Sequence, residues 1–500
     1  MSKTTELLEQ LTQLQQQLQV YSHAMGALSF DGLTAAPPAA SPGRGKTLGA
    51  LSMIHYDLFI NDRVKDLLEE LSARSGELGA EDRRDVSLML KEYRETTCIP
   101  KEEVAAFAQL SNEANTVWEA AKAGNDFASF LPLLEKLVEY SKRFAGYRRP
   151  DLRPYDAMLD MFEEGTTTAY LDAYFGALRK ALVPVVHAVG GAMQPDTSFL
   201  SGTFPVEAQR QLAYRLMDYL QVDRSRCALS ESVHPFTTNF SKWDVRITTH
   251  YHPDNLLSSI YSVIHEAGHG LYELGIDDAL QGRSVGLYAS MGIHESQSRM
   301  YENMIGRSLP FVEQLLPMLH EFFPGRFKGV TPEQLYRAVN VAKPSLIRTE
   351  ADELTYSLHI MVRYELEKAL MEGSLPVKDL AGEWDRLYKE YLGVDVPDDA
   401  QGVLQDVHWS GGAFGYFPSY SIGSAYAAQM YAAMEQEVDV AAALRAGGTA
   451  PMNAWLDDKV HRQGRIMTPA ALLELACGAP FDSGYYTRYL EQKFRTLYQA

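Results

Sequence analysis

Between residues 253 and 274, Leu256, Leu257, Ile260, Tyr261 and Ile264 recur at helical spacing, and the same segment carries His265-Glu266-Ala267-Gly268-His269. This constrains the chain more than any other feature. On a helix, residues four apart share a face about one turn apart. Two imidazoles set into an apolar helix need a polar partner, and this spacing lets both reach one tetrahedral cation. Glu266 stands beside the first of them, where its carboxylate reaches a water rather than the cation. With 13 His and 65 Asp plus Glu in 500 residues, roughly 0.04 such patterns are expected by chance. Pro253 and Asp254 are start signals for the helix, and Gly275 is expected as its C′ stop.

A catalytic site of this kind needs a third protein ligand and an open fourth position. The text after His269, Gly270-Leu271-Tyr272-Glu273-Leu274, lacks the Gly and His that a third histidine on an extended motif requires. The better choice is Glu295 in His294-Glu295-Ser296-Gln297, on a second predicted helix over about 292–305 that ends at Gly306. Met300, Tyr301 and Met304 are expected on its buried face. His294 competes with Glu295, but two histidines and a carboxylate form the recurring hydrolase set. The expected ion is zinc, with cobalt or manganese compatible with the same ligands.

The remaining text predicts a mainly α chain. Apolar residues make up 46% and charged residues 22%, an ordinary globular balance. Leu7, Leu8, Leu11, Leu14 and Leu18 predict an opening amphipathic helix, read as a cover for the core rather than a coiled coil. Residues 34–43 read as a Pro/Ala loop, and 101–122 and 126–146 as helices. The segment 243–251 alternates apolar and polar residues and is the best strand candidate. No internal repeat divides the chain. A net charge of −19 disfavours a phosphate backbone, so no nucleic-acid partner is expected. No run approaches the ~18 apolar residues of a membrane span, and no secretory signal is expected at the N-terminus. Cys98, Cys227 and Cys477 are too scattered for a disulfide framework and read as reduced core thiols.

Five motifs in order resemble the thermostable carboxypeptidase family, of the carboxypeptidase Taq type. They are Asp244-Val245-Arg246-Ile247-Thr248, His265 to His269, His294-Glu295-Ser296-Gln297, Ile347-Arg348-Thr349-Glu350-Ala351-Asp352, and Gly402-Val403-Leu404-Gln405-Asp406-Val407-His408-Trp409. The match spans about residues 240–420, with no fixed position altered. The resemblance implies a cytoplasmic zinc or cobalt enzyme, usually a homodimer, that removes C-terminal residues from peptides with broad specificity. It also implies a mostly helical fold with a deep groove and a small sheet beside the metal helix, like neurolysin and angiotensin-converting enzyme. The whole of 1–500 is then one catalytic unit. Residues 1–230 would be covering helices, 231–425 the catalytic core, and 426–500 C-terminal helices.

An exopeptidase of this kind also needs a cation for the terminal carboxylate. Arg348 is the first choice, against a helical pairing with Asp352. Arg246 is the second, against a bridge to Asp244 on the same strand. His408 is expected to bind the carboxylate or steady the oxyanion, against a role as a satisfied interior histidine. Tyr420, ahead of Tyr416, is the expected hydrogen-bond donor to the oxyanion. The glycines of 410–424 are expected to allow close backbone approach and hinge motion. Two rival readings stay open: an oligopeptidase or dipeptidyl carboxypeptidase on the same groove, and a helical binding scaffold without catalysis.

Overall fold

The opening leucine stripe does become a helix. The structure, a computed structural model, describes residues 2–499, and its first element is α1 (Lys3–Thr34), capped by Ser2. Leu7, Leu11 and Leu14 are buried against Val64, Leu67, Leu68 and Leu71 of α3 (Asp62–Ala73) and Val86 and Met89 of α4 (Ala80–Thr97). Each buried leucine contributes about 2 kcal/mol, which seats the helix on its own chain. The Pro/Ala segment is shorter as a loop than expected. A 3-10 turn at Pro38–Ala40 leads directly into α2 (Ser41–Phe59), so helix resumes at Ser41. Pro42 sits in the first turn of α2, where its missing N–H costs nothing.

The two helices predicted next are α5 (Lys101–Gly124) and α6 (Phe127–Arg148). Asn125 separates them in the left-handed conformation and Asp126 caps α6. They are followed by α7 (Pro154–Phe162), α8 (Thr168–Gly190) and α9 (Val206–Tyr219).

A small sheet then interrupts the helices. Its strands are β1 (Cys227–Glu231), β2 (Thr237–Ser241) and β3 (Asp244–Thr249), in the order β1-β3-β2. β3 pairs parallel to β1 and antiparallel to β2, with Ile247 opposite both Leu229 and Thr237. β3 is the strand expected over 243–251, trimmed at both ends. The alternation that identified it puts Val245 and Ile247 in the core, both fully buried. Beyond β2, α1 shields the sheet: the rings of Phe30 and Phe236 lie 5.8 Å apart.

After the sheet come α10 (Leu256–Gly275) and α11 (Met291–Arg299), the latter continuing as a π-helix over Met300–Ile305. The α10 helix starts later than Pro253 suggested, because Asn255 is its cap and accepts from the Ser258 N–H. Gly275 also differs from expectation. It is the last helical residue, and a side chain there would strike His461 and Asp457, so close packing rather than a left-handed turn requires it. Met300, Tyr301 and Met304 are buried as predicted.

The chain closes with α12 (Leu309–Phe322), α13 (Pro332–Val339), α14 (Tyr356–Glu372), α15 (Leu380–Leu392), α16 (Phe417–Met434), α17 (Val440–Arg445), α18 (Ala450–Lys459), α19 (Pro469–Cys477) and α20 (Gly484–Tyr498). One cluster of buried apolar side chains runs from Leu110 to Tyr498, and a smaller one lies under α1. Of the three cysteines Cys227 is buried, whereas Cys98 and Cys477 are half-buried, and all are free. Among the described residues no helix is long and apolar enough to cross a membrane.

Candidate metal centre

Two glycines decide how close the central helices come. A Cβ on Gly268 of α10 would lie 2.8 Å from the carbonyl oxygen of Gln297 and from the Cα of Ser298 on α11. A Cβ on Gly423 of α16 would lie 2.7 Å from Glu295. Such separations exclude any side chain, so α11 is wedged between α10 and α16 with its backbone almost touching both. Its N-terminus is pinned as well. The buried Glu163 carboxylate accepts from the Ser290 hydroxyl and from the Gly292 N–H, each at 2.8 Å.

This wedge carries Glu295 to the histidines of α10. Its Oε2 stands 3.8 Å from His265 Nε2 and 3.5 Å from His269 Nε2, and the three donor atoms lie within 4.8 Å of one another. Ligands ~2.0–2.1 Å from a tetrahedral cation stand ~3.3 Å apart. The donor set therefore fits a divalent metal. His294, the competing ligand, points elsewhere: its Nδ1 faces His269 Nδ1, behind the ligand ring.

Each histidine is backed by a carboxylate, an arrangement that orients ligating imidazoles. His265 Nδ1–H donates directly to Glu302 at 2.8 Å. His269 reaches Glu273 through His294, whose Nε2 lies 2.9 Å from the Glu273 carboxylate; Asn239 of β2 donates to that carboxylate at 2.7 Å. Arg299 ties the two systems together, donating to Glu295 Oε1 at 2.6 Å and to Glu302 Oε2 at 3.3 Å. It occupies one oxygen of Glu295 and leaves the other toward the histidines. Burial raises the Glu295 carboxyl, but Arg299 and the histidines outweigh it and hold it well below the usual range. Burial, with His294 adding to it, pushes His269 down to about 3, so its imidazole is neutral, the ligating form.

Glu266 accepts from the Thr237 hydroxyl at 2.6 Å, and burial raises its carboxyl. The cluster opens into a cavity of about 510 Å³ lined by His265, Glu266, His269, Glu295, Tyr416 and Tyr420. Tyr420 lies on α16 rather than in a loop, its ring 5.1 Å from that of Tyr416. The glycine segment therefore ends at Tyr416. Gly412 and Gly415 have positive φ, of 72° and 87°.

The remaining predicted residues lie one layer back or apart. Arg348 is buried behind Tyr420, its guanidinium 5.3 Å from that ring. It donates through two nitrogens to Asp406, at 2.9 and 2.8 Å, and not to Asp352. Residues 348–350 form a 3-10 turn, so the helical pairing has no helix; Asp352 instead accepts the Leu354 and Thr355 N–H groups beside α14. Asp406 also takes Arg363, which is fully buried. His408 packs against Tyr416, Phe417 and Tyr420, and its buried Nδ1 has no partner among the described residues. Burial pushes it down to about 4. Arg246 is bidentate to Asp244, at 2.9 Å for both bonds, between the rings of Phe30 and Phe240. Like Arg348 and His408, it does not line the cavity.

Sequence reasoning missed Glu302, Arg299, Glu273 and Thr237. Only Arg299 left a signal, four residues after Glu295 on one helix. The contact from Glu302 to His265 needs both the approach at Gly268 and the π-helix that starts at Met300.

A helical fold with two helix-borne imidazoles, a converging carboxylate and an adjacent buried glutamate defines a metal-dependent peptide hydrolase. The sequence pattern of the carboxypeptidase Taq (M32) metallopeptidase family matches residues 10–494. Carboxypeptidase 1 of Bacillus subtilis is 42% identical over 480 residues, 96% of each chain. Thermostable carboxypeptidase 1 of Thermus thermophilus is 36% identical over 494 residues, again 96% of each. Among solved structures, an M32 carboxypeptidase of Deinococcus radiodurans superposes with a TM-score of 0.96 at 37% identity, covering 99% of this chain and 100% of that one. The chain belongs to the carboxypeptidase Taq family of metallopeptidases and is a metal-dependent carboxypeptidase.

Proposed function

We propose that the chain removes C-terminal residues from peptides, with His265, His269 and Glu295 holding zinc and Glu266 as the general base. The convergence of three donor atoms beside Glu266 in one cavity carries this reading. A zinc ion held there supplies Lewis-acid polarisation of the scissile carbonyl and makes water a nucleophile near neutral pH. Glu266, held by Thr237, takes the proton of the attacking water and passes it to the leaving amine nitrogen. Tyr420 donates a hydrogen bond to the oxygen that becomes negative.

Arg348 receives the substrate's terminal carboxylate, with His408 beside it. Two guanidiniums share the single carboxylate of Asp406, which leaves positive charge for an incoming anion. The pairing of Arg246 with Asp244 favours a structural role for that residue. Zinc with cobalt as a possible substitute, broad side-chain specificity, a cytoplasmic homodimer and a single catalytic unit over residues 1–500 follow from the family resemblance and belong to this proposal.

The test is Glu266→Gln, assayed on one peptide as free acid and C-terminal amide. The variant should retain a full equivalent of metal and lose ~10²–10⁴-fold in kcat. The wild type should cleave only the free acid at its last bond. Release of an internal fragment from the amide would favour an oligopeptidase, and near-normal turnover by the variant would remove Glu266 from its role.

A further inference from the structure

A second large cavity, of about 750 Å³, opens between α3, α4, α6, α7 and the start of α19. It shares no lining residue with the metal-centre cavity. Its charges do not balance. Asp160 is taken up by Lys91 at 3.0 Å and Arg149 at 2.8 Å. Glu164 is taken up by Arg84 at 2.6 Å. The one other lining acid, Glu95, stands 3.8 Å from Lys91. Three lining guanidiniums are left without a carboxylate. Arg83 donates only to the carbonyls of Ser75 and Leu78. Arg148 meets only the thioether of Met161, at 3.3 Å. Arg94 has no side-chain partner among the described residues.

Three uncompensated guanidiniums around one concavity repel one another and focus a positive potential. They do so in a chain of net charge −19, where chance placement favours the opposite sign. Hydroxyls of Ser72, Ser87 and Thr468 line the same space. Guanidiniums and hydroxyls together match the oxygens of a phosphate, which accept several charge-assisted bonds at once. The volume exceeds a single phosphate and suits a small molecule bearing more than one. We propose that this cavity binds a phosphorylated small molecule carrying at least two phosphate groups, held by Arg94, Arg148 and Arg83.

The test is calorimetric titration of the metal-loaded full chain with fructose 1,6-bisphosphate, inorganic phosphate and succinate, at about 150 mM chloride to screen weak surface contacts. The bisphosphate should bind one per chain and at least ~10-fold tighter than inorganic phosphate or succinate, as multivalent guanidinium pairing requires. The double variant Arg94→Ala/Arg148→Ala should lose at least ~10-fold in that affinity while keeping normal peptidase turnover, and Arg94→Lys/Arg148→Lys should lose less. Four results overturn the proposal: no binding, equal binding of succinate, binding unchanged in the double variant, or displacement of the bisphosphate by a dipeptide product at the metal centre.

Discussion

Two buried charge centres sit beside the main cavity, and their imbalances are opposite. Around His265 and His269, Glu266, Glu273, Glu295 and Glu302 gather against Arg299 and Arg307. That centre gathers more carboxylates than cations around its histidines, and its donor set fits a cation. Behind Tyr420, Arg348 and Arg363 converge on Asp406 alone. That centre holds surplus positive charge, the feature on which the proposed carboxylate role of Arg348 rests. Buried charge that is not neutralised internally is costly, so each imbalance supports the ligand proposed for it. A cation site next to a proposed anion site is the pairing expected of an enzyme that cuts beside a free carboxylate.

The sharpest way to break this comparison is to remove the one carboxylate of the positive centre. Asp406→Ala leaves two buried guanidiniums unpaired and should destabilise the fold by about 3–5 kcal/mol, read as a lowered urea midpoint at unchanged slope. A loss under about 1 kcal/mol would mean that water already reaches the pair.

Arg348→Ala asks whether the positive surplus serves substrate. Arg363 remains to pair Asp406, so the fold should hold, while kcat/KM on free-acid peptides should fall about 10²-fold, the scale of a lost charge-assisted contact. Equal decline in the melting temperature and in all activities would assign Arg348 to structure alone.

The smallest expected effect separates the two histidines. Glu302→Gln removes the negative charge of the direct partner of His265 and should weaken zinc by ~10–100-fold in chelator competition. Glu273→Gln acts on His269 only through His294, and its loss should lie at or below the low end of that range, ~10-fold. The reverse order would show that the His294 relay is the stronger support.

Much of the first centre was legible. The α10 stripe, the α11 face with Met300, Tyr301 and Met304, and the ligand spacing follow from local periodicity, which backbone geometry enforces on any helix. The strand β3 was legible from alternation, whereas β1 and β2 were too short and polar to stand out. The second centre was read less well. For Arg348 the alternative to carboxylate binding was a helical pairing with Asp352, four residues on, but the residues between form a 3-10 turn and its partner is Asp406, 58 positions away.

The sequence by itself determined the helices α1, α5, α6, α10 and α11 to within a few residues and which of their side chains share a face, because those depend on neighbours within about four positions. Only the tertiary structure decided that Glu295 and not His294 joins the two histidines in one donor set, that Glu302 stands behind His265, and that Arg348 and Arg363 share Asp406. Those meetings join distant segments, and the first two hinge on how closely backbones pack at Gly268 and Gly423, a distance that no local pattern encodes.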